Sequence, residues 1–159
     1  MNKAYLLIGG NEGDRLLHMH QARANIELIC GAVEQVSSLY ITAAWGKTDQ
    51  ADFLNQALLI DTRMDPHRLL ASILSIEEKM GRKRTVKNAP RIIDIDILFY
   101  NRLIVAETGL IIPHPRIPQR RFVLEPLVEI APGFIHPESC KTIQQLLREC
   151  TDTLPVKKM

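Results

Sequence analysis

Aromatic residues are scarce in this sequence, at 5% of 159 positions with a single Trp. No stretch reads K/R-G-F/Y-G/A-F-V-x-F/Y, so the exposed ring platform of an RNA-recognition module has little to be built from. Cysteine is scarcer: Cys30, Cys140 and Cys150 form no C-x-x-C pair. An odd, dispersed set argues against a disulfide framework or zinc site and for free thiols in a reducing compartment. Nowhere do about eighteen apolar residues follow one another. The apolar run after Met1-Asn2-Lys3 stops at Gly9-Gly10, too short for a signal peptide with its cleavage site. A net charge of +2 makes no case by itself for nucleic acid or a membrane surface. Phosphate-loop signatures are missing as well. Gly9-Gly10-Asn11-Glu12-Gly13-Asp14 is neither G-x-G-x-x-G nor G-x-x-x-x-G-K-[ST], and its terminal carboxylate would repel phosphate, so a strand-to-helix turn is expected there. These absences leave one cytoplasmic globular domain spanning 1–159, with no membrane, nucleic acid or partner protein implied.

Hydrophobic residues make up 46% of the chain, and their spacing outlines the elements. Ala4 to Ile8 reads as a buried strand. Asp14 caps a helix carrying Leu16, Met19, Ala22, Ile26 and Ile29, which Gly31 ends. Val33 to Ile41 and Phe53 to Thr62 read as the second and third strands. Asp65-Pro66 opens a second helix with Leu69, Ile73, Ile76 and Met80 on one stripe, and Gly81 stops it. A basic loop, Arg82 to Arg91, leads into a fourth strand from Ile92 to Tyr100. Beyond it, Leu103 to Ala106 and Leu110 to Ile112 look like a small strand pair. Prolines then punctuate the chain until a last amphipathic helix over Ile143 to Cys150. The order β-α-β-β-α-β predicts an α+β, ferredoxin-like antiparallel sheet with helices on one face and a C-terminal extension. That fold hosts many activities, so function has to come from the site.

Chemistry concentrates around Asp94-Ile95-Asp96. Strand alternation is expected to turn Ile93, Ile95, Ile97 and Phe99 to the core, and Asp94 and Asp96 together to the other side. Neighbouring carboxylates repel and are costly to desolvate without a partner. Mg²⁺ is such a partner, taking one or two carboxylates and filling its octahedron with water and phosphate. A bare D-x-D also fits a solvent-facing polar stripe. Here, however, Arg82, Lys83, Arg84, Lys87 and Arg91 precede the pair, and His114, Arg116, Arg120 and Arg121 follow it. Guanidinium groups bind phosphate oxygens while carboxylates hold the metal, so the combination points to a metal-polyphosphate site. Without the D-x-D, the basic loop would read as a solvated stretch. Phe53 and Asn55 share a strand face, and a ring beside a carboxamide suits a flat heterocycle. Alone they would read as a core ring and an edge amide. A small-ligand regulatory domain of the same fold would need neither the D-x-D nor the arginines.

Three stretches together resemble the 6-hydroxymethyl-7,8-dihydropterin pyrophosphokinases of folate biosynthesis. They are Phe53-Leu54-Asn55, Gly81-Arg82-Lys83-Arg84 through Pro90-Arg91-Ile92-Ile93-Asp94-Ile95-Asp96-Ile97-Leu98, and Pro113-His114-Pro115-Arg116 through Pro132. Ile8-Gly9-Gly10-Asn11 and Tyr40-Ile41-Thr42 add support. The resemblance covers nearly the whole chain. It implies transfer of pyrophosphate from ATP to the hydroxymethyl group of a reduced pterin, with release of AMP. Position by position, it implies that Asp94 and Asp96 hold a pair of Mg²⁺ ions and that Arg82 and Arg91 stabilise the transferring group. Arg84, His114 and Arg120 would contact the nucleotide phosphates. Asn55 would read the pterin edge, Phe53 and Phe122 would sandwich its ring, and Thr42 would complete the pocket. The chain departs from the family pattern at Asn88-Ala89, where many members carry a tryptophan, at Ala43-Ala44 in place of prolines, and at Gly10 in place of serine. Trp45 is the candidate for the missing aromatic cover.

Overall fold

Strand β1 (Asn2–Gly10) runs antiparallel between β4 (Phe53–Thr62) and β5 (Asp94–Tyr100). The computed structural model describes residues 1–43, 51–82 and 90–159. On its other edge β4 pairs with two short strands, β2 (Ala32–Val36) and β3 (Tyr40–Thr42). The sheet order is β5-β1-β4-β3-β8, where β8 (Val156–Lys158) lies outside β3.

Helices α1 (Arg15–Ile29) and α2 (Pro66–Lys79) start where the caps predict. Asp14 accepts from the Leu17 N–H at 3.1 Å and Asp65 from the Arg68 N–H at 2.9 Å, satisfying amides that have no partner inside the helix. Both helices lie on one face of the sheet. There Met19, Ala22 and Ile26 of α1 and Leu69, Ile73 and Ile76 of α2 bury against Leu6, Ile8, Leu58 and Ile60. Each of the leucine, isoleucine and methionine side chains among them contributes about 1.5–3 kcal/mol on leaving water. Gly31 follows the C-cap of α1 and has to be glycine, because a Cβ there would stand 1.9 Å from the Asp61 carbonyl oxygen. The expected ferredoxin-like arrangement is therefore present, and the C-terminal extension covers the opposite face. Helices α3 (Arg121–Ile130) and α4 (Ile143–Glu149) pack Val123, Leu124, Leu127, Ile143 and Leu146 on Leu7, Ala57, Leu98 and Phe99. A hairpin of β6 (Val105–Glu107) and β7 (Leu110–Ile112) follows β5. Among the described residues no helix is long and apolar enough to cross a membrane.

Four expectations need correction. The second strand is two strands, because Ser37 interrupts it: its N–H donates to the Ala57 carbonyl and its hydroxyl accepts from the Ala57 N–H, both at 2.9 Å. Phe99 does not share the face of Ile93, Ile95 and Ile97. Leu98 is one residue too many opposite β1, where Tyr5 pairs with Phe99 and Leu6 with Ile97, and this bulge sends Phe99 to the α3 side. The proline-rich tail contains α3, which tolerates Pro126 within it, and its end forms β8. Leu16, expected on the buried stripe of α1, is exposed.

Candidate active site

Gly9 marks the centre of the site. It pairs with Asn55 of β4 on one side and with Asp94 of β5 on the other. A Cβ on Gly9 would lie 2.4 Å from Asn55 Oδ1, so only glycine leaves this floor open. Two residues back, Leu7 pairs with Ala57 and Asp96. The strand period of two thus sets Asp94 and Asp96 along one wall of a cavity of about 110 Å³. Phe53, Asn55 and Thr42 line it from β4 and β3, and Arg120 and Phe122 close it from the start of α3. Asn55 is 4% exposed and donates through Nδ2 to Thr42 Oγ1 at 3.0 Å. Two arginine–phenylalanine pairs frame the opening. The Arg91 guanidinium lies 5.9 Å from the Phe53 ring centre, and that of Arg120 lies 5.5 Å from Phe122.

The charges interlock. Arg82 Nη1 reaches Asp94 Oδ1 at 2.7 Å and Glu77 Oε2 at 2.8 Å, and Arg91 Nη1 reaches Asp94 Oδ2 at 3.0 Å. Glu77 is buried on α2 and also accepts from the Ile95 N–H at 2.7 Å. Burial raises its pKa, while that hydrogen bond and Arg82 pull it down. Asp96 has no such guanidinium partner among the described contacts. Burial, reinforced by the charges of Asp94 and Glu77, pushes its carboxyl up to about 7. His114 is pushed below the usual imidazole range by burial and then by Arg120. Its Nδ1 accepts from the Arg116 N–H at 3.2 Å, which leaves the proton of the neutral ring on Nε2.

A second cavity, of about 300 Å³, lies along the free edge of β5. Leu70, Ile95, Ile97, Leu110 and His114 line it, and Asp96 lines both cavities. The expected residues Arg82, Arg91, Asp94, Asp96, Arg120, Phe53, Asn55, Phe122 and Thr42 therefore converge on one place, with His114 at the adjoining cavity. Arg84 and Trp45 lie outside the described residues. Sequence reasoning missed Glu77, whose signal is a carboxylate four residues after Ile73 on the apolar stripe of α2. Among the described residues no group of three or more His, Cys, Asp and Glu is arranged to cage a metal. The donor set present, two carboxylates among arginines, fits a Mg²⁺ ion that takes its remaining ligands from water and phosphate.

Residues 5–132 match the family model for 7,8-dihydro-6-hydroxymethylpterin-pyrophosphokinase (HPPK). The chain is similar to two bacterial proteins named 2-amino-4-hydroxy-6-hydroxymethyldihydropteridine pyrophosphokinase. That of Synechocystis is 41% identical over 152 residues, covering 94% of this chain and 77% of the relative. That of Bacillus subtilis is 45% identical over 130 residues, covering 81% and 78%. Among solved structures, the wild-type HPPK-DHPS of Plasmodium falciparum with STZ-DHP has the same fold, at a TM-score of 0.77 and 20% identity. The match takes in 93% of this chain and only 43% of the Plasmodium one.

Proposed function

The chain belongs to the 7,8-dihydro-6-hydroxymethylpterin-pyrophosphokinase family, and we propose how its residues divide the transfer that this family name describes. It is an ATP-dependent pyrophosphokinase of folate biosynthesis. The hydroxymethyl oxygen of the dihydropterin attacks the β-phosphorus of ATP and gives up its proton to water. The bond from that phosphorus to the α–β bridging oxygen breaks, and AMP leaves. One observation carries the division of labour: Gly9 has Asn55 on one side and Asp94 on the other, so a heterocycle-reading amide and a metal-reading carboxylate face the same cavity.

The pterin occupies that cavity. Phe53 and Phe122 take its two faces, and Asn55 and Thr42 take its edge. One Nδ2 hydrogen of Asn55 is given to Thr42, which fixes the carboxamide so that its Oδ1 can accept from a pterin N–H and its second Nδ2 hydrogen can donate. The nucleotide approaches from the β5 edge, where the second cavity adjoins Asp96. Asp94 and Asp96 would hold the Mg²⁺ ions, two of them, which neutralise triphosphate charge and acidify the attacking hydroxyl when bound. Arg82 and Arg91 stabilise the charge of the transferring group. Arg120 and the neutral Nε2–H of His114 bind phosphate oxygens, with Arg84 of the basic loop as a further contact. Phosphoryl-type transfer asks for positioning and electrostatics above all, and these are what the site offers. The free thiols of Cys30, Cys140 and Cys150 support a cytoplasmic location for what we read as one catalytic domain.

The test is AMP formation from ATP, Mg²⁺ and 6-hydroxymethyl-7,8-dihydropterin by the wild type and by Asp94→Ala and Asp96→Ala. Both variants should fold and lose most turnover, since losing a metal at the transferring group costs several kcal/mol of barrier. Near-normal AMP formation by either would remove that carboxylate from the metal site.

A further inference from the structure

Asn11, the residue after β1, is only 4% exposed and has no part in the division of labour above. Its carboxamide holds two backbones that approach the cavity from opposite sides. Nδ2 donates to the Ala51 carbonyl at 3.0 Å, two residues before Phe53. Oδ1 accepts from the Arg91 N–H at 3.0 Å, and the Asn11 N–H donates to the Arg91 carbonyl, also at 3.0 Å. One residue thus grips Arg91 by both of its backbone groups. From that grip the Arg91 side chain reaches Asp94 Oδ2 at 3.0 Å and lies over the Phe53 ring. Gly10 makes the approach possible, because a Cβ on it would stand 2.3 Å from the Ile92 carbonyl. An asparagine that merely finishes a turn bonds within its own loop, a few residues along the chain. Two side-chain hydrogen bonds of Asn11 instead reach 40 and 80 positions along the chain.

We propose that Asn11 is a positioning residue for the transfer: it fixes the backbone from which Arg91 reaches the reacting phosphate and ties that backbone to the strand start that carries Phe53. The proposal rests on the pyrophosphokinase reading. Its physical basis is the steepness of transfer rates with geometry, where a misplacement of about 1 Å costs on the order of a hundredfold. The two halves of the carboxamide have separable duties. The oxygen serves Arg91 and hence the chemical step, and the nitrogen serves the Ala51 to Phe53 segment and hence the pterin.

The experiment is steady-state kinetics on Asn11→Ala, Asn11→Asp, Arg91→Ala and the double variant Asn11→Ala/Arg91→Ala. Alanine at position 11 should lower kcat about tenfold or more and leave the KM for Mg-ATP within about threefold. With Arg91 already gone, the same change should cost less than about twofold, since it acts through the missing side chain. Asn11→Asp keeps the acceptor and loses the donor, so it should retain most of kcat and raise the pterin KM. An unchanged kcat in Asn11→Ala, or losses that add in the double variant, would overturn the proposal. Should Asn11→Ala fail to fold, Asn11→Asp decides: a raised pterin KM at near-normal kcat supports the assignment, and a large loss of kcat contradicts it. Should the wild type form no pterin-dependent AMP, the parent reading fails, and amide exchange judges the clasp by itself. The Arg91 N–H should then be protected in wild type and Asn11→Asp and exposed in Asn11→Ala, and equal protection in all three would end the idea.

Discussion

Arg82 donates to Asp94 across 2.7 Å, so a cation suited to the phosphate is paired with a carboxylate suited to its metal. Arg91 takes the other oxygen of the same carboxylate at 3.0 Å, and the buried Glu77 holds Arg82 from behind at 2.8 Å. Before substrate arrives, the site neutralises itself. On the roles proposed above, a metal ion without nucleotide would have to compete with two guanidinium groups for Asp94, whereas Mg-ATP would bring phosphates that draw those groups away.

Metal binding to the nucleotide-free protein is therefore expected to be weak and to tighten when an arginine is removed. Arg82→Ala and Arg91→Ala should each strengthen Mn²⁺ binding about three- to tenfold in the absence of nucleotide, because an attractive partner of Asp94 is gone. The same variants should lose about a hundredfold or more in kcat, as removal of a donor to transition-state charge does elsewhere. Paramagnetic titration of Mn²⁺ measures the first effect. Weaker metal binding in both variants would show that the arginines do not compete for Asp94.

The pterin wall should respond separately from the nucleotide wall. Asn55→Ala removes an edge contact and leaves Thr42 Oγ1 without its donor, and Phe122→Ala removes one stacking face. Each change should weaken pterin binding by about 1–3 kcal/mol. Affinity for a non-reacting Mg-ATP analogue should hardly move. Calorimetry with each ligand in turn checks this. Loss of the analogue with retention of the pterin would mean that the two cavities are assigned the wrong way round.

Asp96 should leave its mark on stability as well. Its carboxyl is raised from 3.8 to about 7 in the folded protein, so between those values the native state binds the proton that the unfolded chain has released. Stability of the substrate-free protein should consequently fall as pH rises through that window and flatten above it, by roughly 1–3 kcal/mol in all. Asp96→Asn removes the titration and should be the more stable protein at pH 8 while losing turnover. Denaturant midpoints of both proteins across pH 4–8 give the comparison. Parallel profiles would contradict the strained carboxyl.

What could be read from the chain was local in origin. Asp94 and Asp96 share a face because strands repeat every two residues, and the same rule set Phe53 beside Asn55. The caps at Asp14 and Asp65 were visible because their partners lie three residues on. The misses have the opposite character. The bulge at Leu98 exists only in the pairing of β5 with β1, and no period within β5 announces it. Prolines at 113, 115 and 118 suggested a broken tail, and Pro126 hid α3, whose amphipathic face is formed by Val123, Leu124 and Leu127. Glu77 and Asn11 find partners far along the chain, so their roles depend on closure of the whole sheet.

A pyrophosphokinase is defined by which bond of ATP is broken and by what receives the group. Incubation of the wild type with ATP labelled at the β-phosphate, Mg²⁺ and 6-hydroxymethyl-7,8-dihydropterin follows both at once. The label should appear in a pterin diphosphate, with AMP formed in step and none formed when the pterin is omitted. Release of ADP, or AMP formed at the same rate without pterin, would contradict the pyrophosphokinase reading.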